Sequence, residues 1–236
     1  MHAPEILPSV LACDLARLAD EVAHLGPDVR TLHFDVMDGR YVPNISFGQP
    51  VMRSLRAAWA HDIDVHLMIV DPARYASEFV AAGATSVAFH PEVEDDPTAL
   101  LRRLRAEGVR VGVGVRPEHD LASVERLLPE VDVLLLMTVS PGFAGQAFLT
   151  DVLPKVTEAY ERREEDGLAF RIQVDGGVTA ETIVDAAAAG ADWFVAGTSV
   201  FAAADRAEAA TLLRTRALDA QRGIHRASPG GPARRG

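Results

Sequence analysis

The sequence predicts a (β/α)8 TIM barrel in a single domain, and two observations carry that expectation. Short apolar runs of strand character alternate with Ala/Leu/Arg/Glu stretches of helical period, and the alternation occurs eight times along the chain. Eight βα units leave about 28 residues for each, close to the minimum for a closed barrel, with an open doubly wound sheet as the alternative.

The elements follow in order. Residues 5–10 are the first strand candidate, followed by a helix near 14–25; residues 30–36 and 48–60 form the second pair, and 62–68 and 72–82 the third. The fourth pair is 86–90 with 96–107, the fifth 109–115 with 119–129, and the sixth 131–138 with 149–166. Residues 170–175 with 179–189, and 192–196 with 205–221, complete the series. Asp71-Pro72 and Asp96-Pro97 read as an N-cap followed by Pro at the first helical position, and Gly83, Gly108 and Gly190 read as C-caps. The barrel is expected over residues 1–221. Residues 222–236, which contain Ser228-Pro229-Gly230-Gly231-Pro232, are expected to be a disordered tail.

Composition narrows the function classes. Of the 236 residues, 48% are hydrophobic and 24% charged, enough apolar material for a sizeable core. Thirty-four acidic against 23 basic residues give a net charge of −11, which argues against nucleic acid and anionic membranes as partners. The single cysteine, Cys13, excludes an intrachain disulfide and a Cys-rich zinc site and fits a reducing compartment. No apolar run approaches the roughly 20 residues that span a bilayer, and Met1 is followed by His, Ala, Pro and Glu rather than a basic and then apolar segment. A cytoplasmic location is the expectation.

In a barrel of this kind the reacting groups come from the C-terminal ends of several strands. The second strand ends in His33-Phe34-Asp35, whose period of two puts His33 and Asp35 on one face; the third ends in Asp64-Val65-His66-Leu67-Met68, and the seventh in Gln173-Val174-Asp175. A lone His-x-Asp on a strand is more often a hydrogen-bonded pair than a metal site. Two imidazoles and two carboxylates meeting at one barrel mouth shift the balance, because this donor set suits Zn²⁺, Fe²⁺, Mn²⁺ or Co²⁺ better than Ca²⁺.

Glycines gather in the last three loops: Pro141-Gly142-Phe143-Ala144-Gly145-Gln146, Gly176-Gly177, and Gly197-Thr198-Ser199 at the start of a helix. Barrels bind phosphate with backbone N–H groups in these places, and tight turns are the plainer reading of any single pair. No Gly-Lys-Ser/Thr follows, which disfavours a nucleoside triphosphate. Three of the five methionines, Met37, Met68 and Met137, fall at strand ends, where they either fill the core or cover a reacting carbon. His90, at the end of the fourth strand, has two readings, support of a ligand from behind and a structural hydrogen bond.

These motifs closely resemble the ribulose-phosphate 3-epimerase family. The resemblance runs from about Ile6 to Phe201 and rests on Pro8-Ser9-Val10-Leu11, on the long run His33-Phe34-Asp35-Val36-Met37-Asp38-Gly39-Arg40-Tyr41-Val42-Pro43-Asn44, and on the strand ends and glycine loops quoted above. It implies a (β/α)8 barrel that interconverts D-ribulose 5-phosphate and D-xylulose 5-phosphate with one divalent metal ion per chain, assembled as a dimer or hexamer. By position, His33, Asp35, His66 and Asp175 match the metal ligands, with Asp35 and Asp175 doubling as the acid/base pair. Ser9 and His66 match substrate contacts. Gly142, Phe143, Ala144, Gly145, Gly176, Gly177, Gly197 and Thr198 match the phosphate and substrate loops, and Met37, Met68 and Met137 match the cap over the intermediate. Ala144, Thr198 and Arg116 depart from the residues usual there, and the sequence offers no account of Arg116.

The chemistry makes sense of these residue types. A C3 hydrogen beside a ketone is a weak acid, so the cis-enediolate formed on its removal must be stabilised, for which a Lewis acid is worth several kcal/mol. Inversion needs a proton to leave one face and another to arrive at the opposite face, which two carboxylates satisfy. The nearest alternative is a 3-epimerase of another ketose phosphate, such as D-allulose 6-phosphate. A barrel decarboxylase with an Asp-x-Lys-x-x-Asp motif is excluded, since the only lysine is Lys155. A non-catalytic sugar-phosphate sensor would tolerate loss of one of the two carboxylates, and both are present.

Overall fold

A computed structural model describes residues 2–227. Its strands are β1 (Glu5–Pro8), β2 (Thr31–Met37), β3 (Asp62–Met68), β4 (Ser86–Phe89), β5 (Arg110–Val115), β6 (Val133–Met137), β7 (Arg171–Asp175) and β8 (Trp193–Ala196). They pair in parallel in the order β1-β8-β7-β6-β5-β4-β3-β2, and a parallel bridge between Ser9 and His33 ties β1 to β2 and closes the ring. The helices are α1 (Leu18–Ala23), α2 (Gln49–Ala58), α3 (Pro72–Ala81), α4 (Pro97–Ala106), α5 (Leu153–Glu165), α6 (Thr182–Ala188), α7 (Thr198–Phe201) and α8 (Arg206–Ala227). The fold is the expected TIM barrel. Among the described residues no helix is long and apolar enough to cross a membrane.

Strand periodicity divides the core in two. Leu32, Phe34 and Val36 of β2, Ile63, Val65 and Leu67 of β3, and Val111, Val113 and Val115 of β5 belong to the layer packed against the helices. Leu7, Val133, Trp193 and Val195 form a separate cluster contributed by β1, β6 and β8. His33, Asp35, Asp64 and His66 alternate with the outer-layer residues and so share the inner face near the C-terminal end.

Several element limits differ from the expectation. The first strand stops at Pro8 and gives way to a 3-10 turn at Val10–Ala12, and α1 is preceded by another at Leu15–Arg17. The helix expected over 119–129 is two 3-10 turns, Leu121–Ser123 and Glu125–Glu130. Pro129 removes a backbone donor, and the buried Leu121, Val124 and Leu127 recur every third residue, the spacing that a 3-10 turn places on one side. The short α7 stands alone before α8, which continues to Ala227 rather than ending near 221. The rest of the expected tail, 228–236, lies outside the described residues. The cap assignments fare unevenly: Asp96 accepts the Ala99 N–H at 3.0 Å, whereas Asp71 makes no such bond, and Gly83, Gly108 and Gly190 all have positive φ.

The wall around β7 and β8 is held by a buried ion pair. Arg163 of α5, 2% exposed, donates to Asp192 at 2.6 Å and to the Phe170 carbonyl at 3.1 Å. Replacing Arg163 removes the close partner of the desolvated Asp192 carboxylate and leaves only the more distant Arg171, at 3.7 Å. Arg163→Met is expected to lower stability by about 3–5 kcal/mol, read by denaturant unfolding, and a loss under about 1 kcal/mol would contradict this.

Candidate active site

β2 supplies His33 and Asp35, β3 supplies Asp64 and His66, and β7 supplies Gln173 and Asp175. Parallel register sets Asp35 opposite His66 across the β2–β3 pair, so a ligand from each strand arrives at one level. Asp175 comes from β7, three strands round the ring from β2.

The geometry is close. His66 Nδ1 lies 3.3 Å from both Asp35 Oδ1 and Asp175 Oδ2, and His33 Nε2 lies 3.2 Å from Asp35 Oδ1 and 3.7 Å from Asp175 Oδ2. One ligand atom from each of His33, Asp35, His66 and Asp175 falls within 4.8 Å of the others, and all four residues are buried. The other Asp35 oxygen accepts the Ser9 hydroxyl at 2.6 Å. His66 Nδ1 has no hydrogen-bond partner although it faces two carboxylates. An orphaned buried nitrogen beside converging carboxylate oxygens is what a divalent cation would complete, so the residues present fit the metal that the sequence implies.

Charge balance explains the electrostatics. Burial works to depress the pKa of His33, but the Asp35 carboxylate, the nearby Asp175 and the contacts with Asp35 and Asp64 outweigh it and hold His33 well above the usual 6.5. His66 is likewise raised, the attraction of the nearby Asp175 and Asp35 carboxylates overcoming burial. Burial pushes Asp35 and Asp64 up, and the neighbouring imidazoles pull both below the ordinary carboxylate value. His90 goes the other way: burial, reinforced by the charge of His66, keeps it neutral.

Above the cluster lies a cavity of about 370 Å³. Asp35 and Asp175 reach its floor, Met37, Met68 and Met137 line it, and Ser9, Gly142, Phe143, Ala144, Gly145, Gly176, Gly177, Gly197 and Thr198 complete it. The cavity thus gathers every residue assigned to the candidate site in the sequence except the ligand candidates His33 and His66, which are fully buried beneath it; His90 and Arg116 lie outside it as well. Both His66 nitrogens face neighbouring side chains, Nδ1 the carboxylates and Nε2 His90 at 2.9 Å, and the residue is not among those that line the cavity.

Loop chemistry shapes the rim. Gly177 has φ +66, and a Cβ there would stand 2.4 Å from the backbone nitrogen of Phe148, so only glycine lets the loop after β6 approach the end of β7. The Thr138 hydroxyl fixes the same junction by donating to the Gly176 carbonyl at 2.6 Å. Asn44 donates to the Gly142 carbonyl at 2.8 Å, tying the loop after β2 to the loop after β6, with Phe143 55% exposed at its outer edge.

Sequence reasoning leaves Asp64 and Gln173 without a role. Asp64 Oδ2 is 2.9 Å from His33 Nδ1 and accepts Gln173 Nε2 at 2.7 Å. The signal is there to find, since each stands two residues before a candidate ligand on the same strand face.

Because the carboxylates raise both histidines, protons compete with a metal ion at a higher pH than at an isolated imidazole. Affinity for Zn²⁺, measured by chelator competition between about pH 8.5 and 5.5, is expected to start falling above pH 6.5. An affinity that stays flat from pH 8.5 down to 6.5 would contradict this.

Comparison with known proteins agrees with this geometry. The profile of the ribulose-phosphate 3 epimerase family matches residues 5–201. A ribulose-phosphate 3-epimerase of Mycobacterium leprae is 45% identical over 214 residues, covering 91% of this chain and 95% of that protein. One from Escherichia coli K12 is 41% identical over 198 residues, covering 83% and 88%. Among solved structures, KGPDC from Streptococcus mutans superposes with a TM-score of 0.72 at 13% identity, covering 92% of this chain and 99% of that one. The 3-hexulose-6-phosphate synthase of Salmonella typhimurium superposes with a TM-score of 0.67 at 21% identity and the same coverage. At such identities the structures speak for the barrel alone. The profile match and the relatives' identity across most of both chains go further: the chain belongs to the ribulose-phosphate 3-epimerase family.

Proposed function

We propose that this chain interconverts D-ribulose 5-phosphate and D-xylulose 5-phosphate by removing and returning the proton at C3, with Asp35 and Asp175 as the two proton carriers. The observation that supports this reading best is that these two carboxylates alone, of the four clustered residues, reach the cavity floor, and they do so from strands set well apart round the ring. Each can then address a different face of a sugar lying between them.

The remaining residues have defined tasks. The Ser9 hydroxyl occupies one oxygen of Asp35 and leaves the other turned toward the cluster. Met37, Met68 and Met137 offer apolar, polarizable cover that excludes water from the planar enediolate. The glycine loops after β6, β7 and β8 offer backbone amides for the phosphate, with Thr198 adding a hydroxyl. His33, Asp35, His66 and Asp175 would hold one divalent ion, of which Zn²⁺, Fe²⁺, Mn²⁺ and Co²⁺ all suit the donors; when bound it supplies Lewis-acid stabilisation of the negative charge beside the carbonyl.

The direct test is turnover of D-ribulose 5-phosphate and D-allulose 6-phosphate, side by side, on protein of defined metal content. Preference for the pentose phosphate is expected, and preference for the hexose phosphate would overturn the substrate assignment. Chelator-treated protein is expected to lose activity and regain it with a divalent metal. Full activity in protein shown by elemental analysis to be metal-free would refute the metal's role.

Two carriers on two faces also make an isotopic prediction. Turnover in deuterated water is expected to place deuterium at C3 of the product first, while unreacted substrate stays unlabelled at early times. Asp175→Asn, at matched metal content, is expected to slow epimerisation by roughly 10²–10⁴-fold. Near-normal turnover in that variant would remove Asp175 from the mechanism.

A further inference from the structure

We infer that Ser46, in the loop after β2, is a positioning residue for the reaction: it stands in for a missing strand neighbour along the end of β2 and so holds Asp35 and Met37 where the proton transfer needs them. The inference rests on the reading of Asp35 as a proton carrier and extends it to a residue that lines no part of the cavity.

The need arises at the seam of the barrel. β1 ends at Pro8, its parallel bridge to β2 joins Ser9 to His33, and the chain then passes into the 3-10 turn at Val10–Ala12. β2 runs on to Met37, paired with β3 on its other side as far as Met68. In a strand the backbone polar groups of residues two apart point the same way, so those of Asp35 and Met37 follow His33 toward the side that β1 no longer covers. Both residues are buried, where an unpaired backbone group is costly.

Ser46 supplies the partners. Its hydroxyl donates to the Asp35 carbonyl at 2.7 Å and accepts the Met37 N–H at 3.0 Å, and its own N–H donates to the Met37 carbonyl at 3.3 Å. The Asp35 carboxylate is held separately, by the Ser9 hydroxyl at 2.6 Å. Ser9 thus fixes how the carboxylate turns, and Ser46 fixes where the strand that carries it stands. The same bonds set the Met37 backbone, and with it one of the three methionines that line the cavity.

The loop folds back so that Ser46 is presented to the strand. Gly39, at φ +71, opens a turn in which its N–H donates to the Asn44 carbonyl at 2.8 Å, and Asp38 and Ile45 form an antiparallel bridge. Asp38 Oδ1 accepts the N–H groups of Arg40 and Tyr41, both at 2.8 Å, and Oδ2 accepts the Val70 N–H at 2.9 Å, which ties the turn to the loop after β3. On the other side of Ser46, the Phe47 ring packs on Phe34 of β2 with centroids 4.3 Å apart. The bridging position asks for a donor and an acceptor in one short side chain, which serine and threonine offer and alanine does not.

Two measurements on the full chain test this. Amide hydrogen exchange, followed by NMR, reads the bridging hydroxyl without turnover. The Met37 N–H is expected to be protected in the unaltered protein and in Ser46→Thr, and to exchange at least about tenfold faster in Ser46→Ala. Rapid exchange of Met37 in the unaltered protein, or equal protection in Ser46→Ala, would overturn the inference. The second measurement reads the proton transfer, in metal-replete protein, with D-ribulose 5-phosphate and D-xylulose 5-phosphate deuterated at C3. Ser46→Ala is expected to lower kcat by about 10–100-fold while KM changes less than about threefold, and Ser46→Thr to recover most of the rate. Because the step through Asp35 is the one slowed, the isotope effect on kcat is expected to rise with the epimer whose C3 proton Asp35 removes and to fall toward unity with the other. An isotope effect that moves the same way with both epimers would show that Ser46 does not act through Asp35. An unaltered protein that turns over neither epimer would refute the reading of the reaction, and the Met37 amide would still decide whether Ser46 holds the strand.

Discussion

The structure depends on one constraint: two carboxylates and two imidazoles are held, buried, around a single point at the mouth of the barrel. Asp35 and Asp175 would repel each other there if left alone, and each has given up water to be buried. The imidazoles of His33 and His66 answer that charge by holding protons more tightly than free histidine does. A divalent cation would replace those protons with the same total charge. The cluster is therefore compatible with burial whether it holds protons or a metal ion, and the neighbouring groups can be rigid.

The barrel supplies that rigidity through its own seam. The Ser9–His33 bridge that closes the ring also places the Ser9 hydroxyl on Asp35, so the closing contact and the site share residues. Asp35 and His66 face each other in the β2–β3 register, and Asp175 ends a strand whose interior neighbour one step down is Gln173, the residue that orients Asp64. Two tiers of polar residues thus stack inside the barrel, the upper one meeting the cavity and the lower one fixing it. The loops are left to shape the cavity, which is where glycine serves: Gly177 lets one loop approach another more closely than any side chain would.

Much of this is legible in the sequence because the relevant signals have short periods. Alternation of two residues places His33 with Asp35 on one face, and punctuation by Gly83, Gly108 and Gly190 locates three helix ends. The eight expected strands are all present, with ends displaced by up to a few residues. The segment 119–129 reads as an α-helix because a three-residue apolar spacing fits α and 3-10 geometry alike, and Pro129 is the cue that separates them. Distant pairings are out of reach. Nothing local in the chain says that His90 meets His66, that Arg116 covers Tyr41, or that Asn44 anchors the loop at Gly142, since the first contact needs the pairing of β3 with β4 and the other two join segments from different sides of the barrel mouth.

The central claim is that one divalent ion sits among His33, Asp35, His66 and Asp175. Anomalous diffraction from crystals of the full chain grown with zinc, recorded on both sides of the zinc absorption edge, tests it most directly. The account predicts a single strong peak at the floor of the cavity, about 2.0–2.2 Å from His33 Nε2, His66 Nδ1 and an oxygen of each aspartate. No peak at that point, or a peak bound through other residues in crystals that contain zinc, would contradict it.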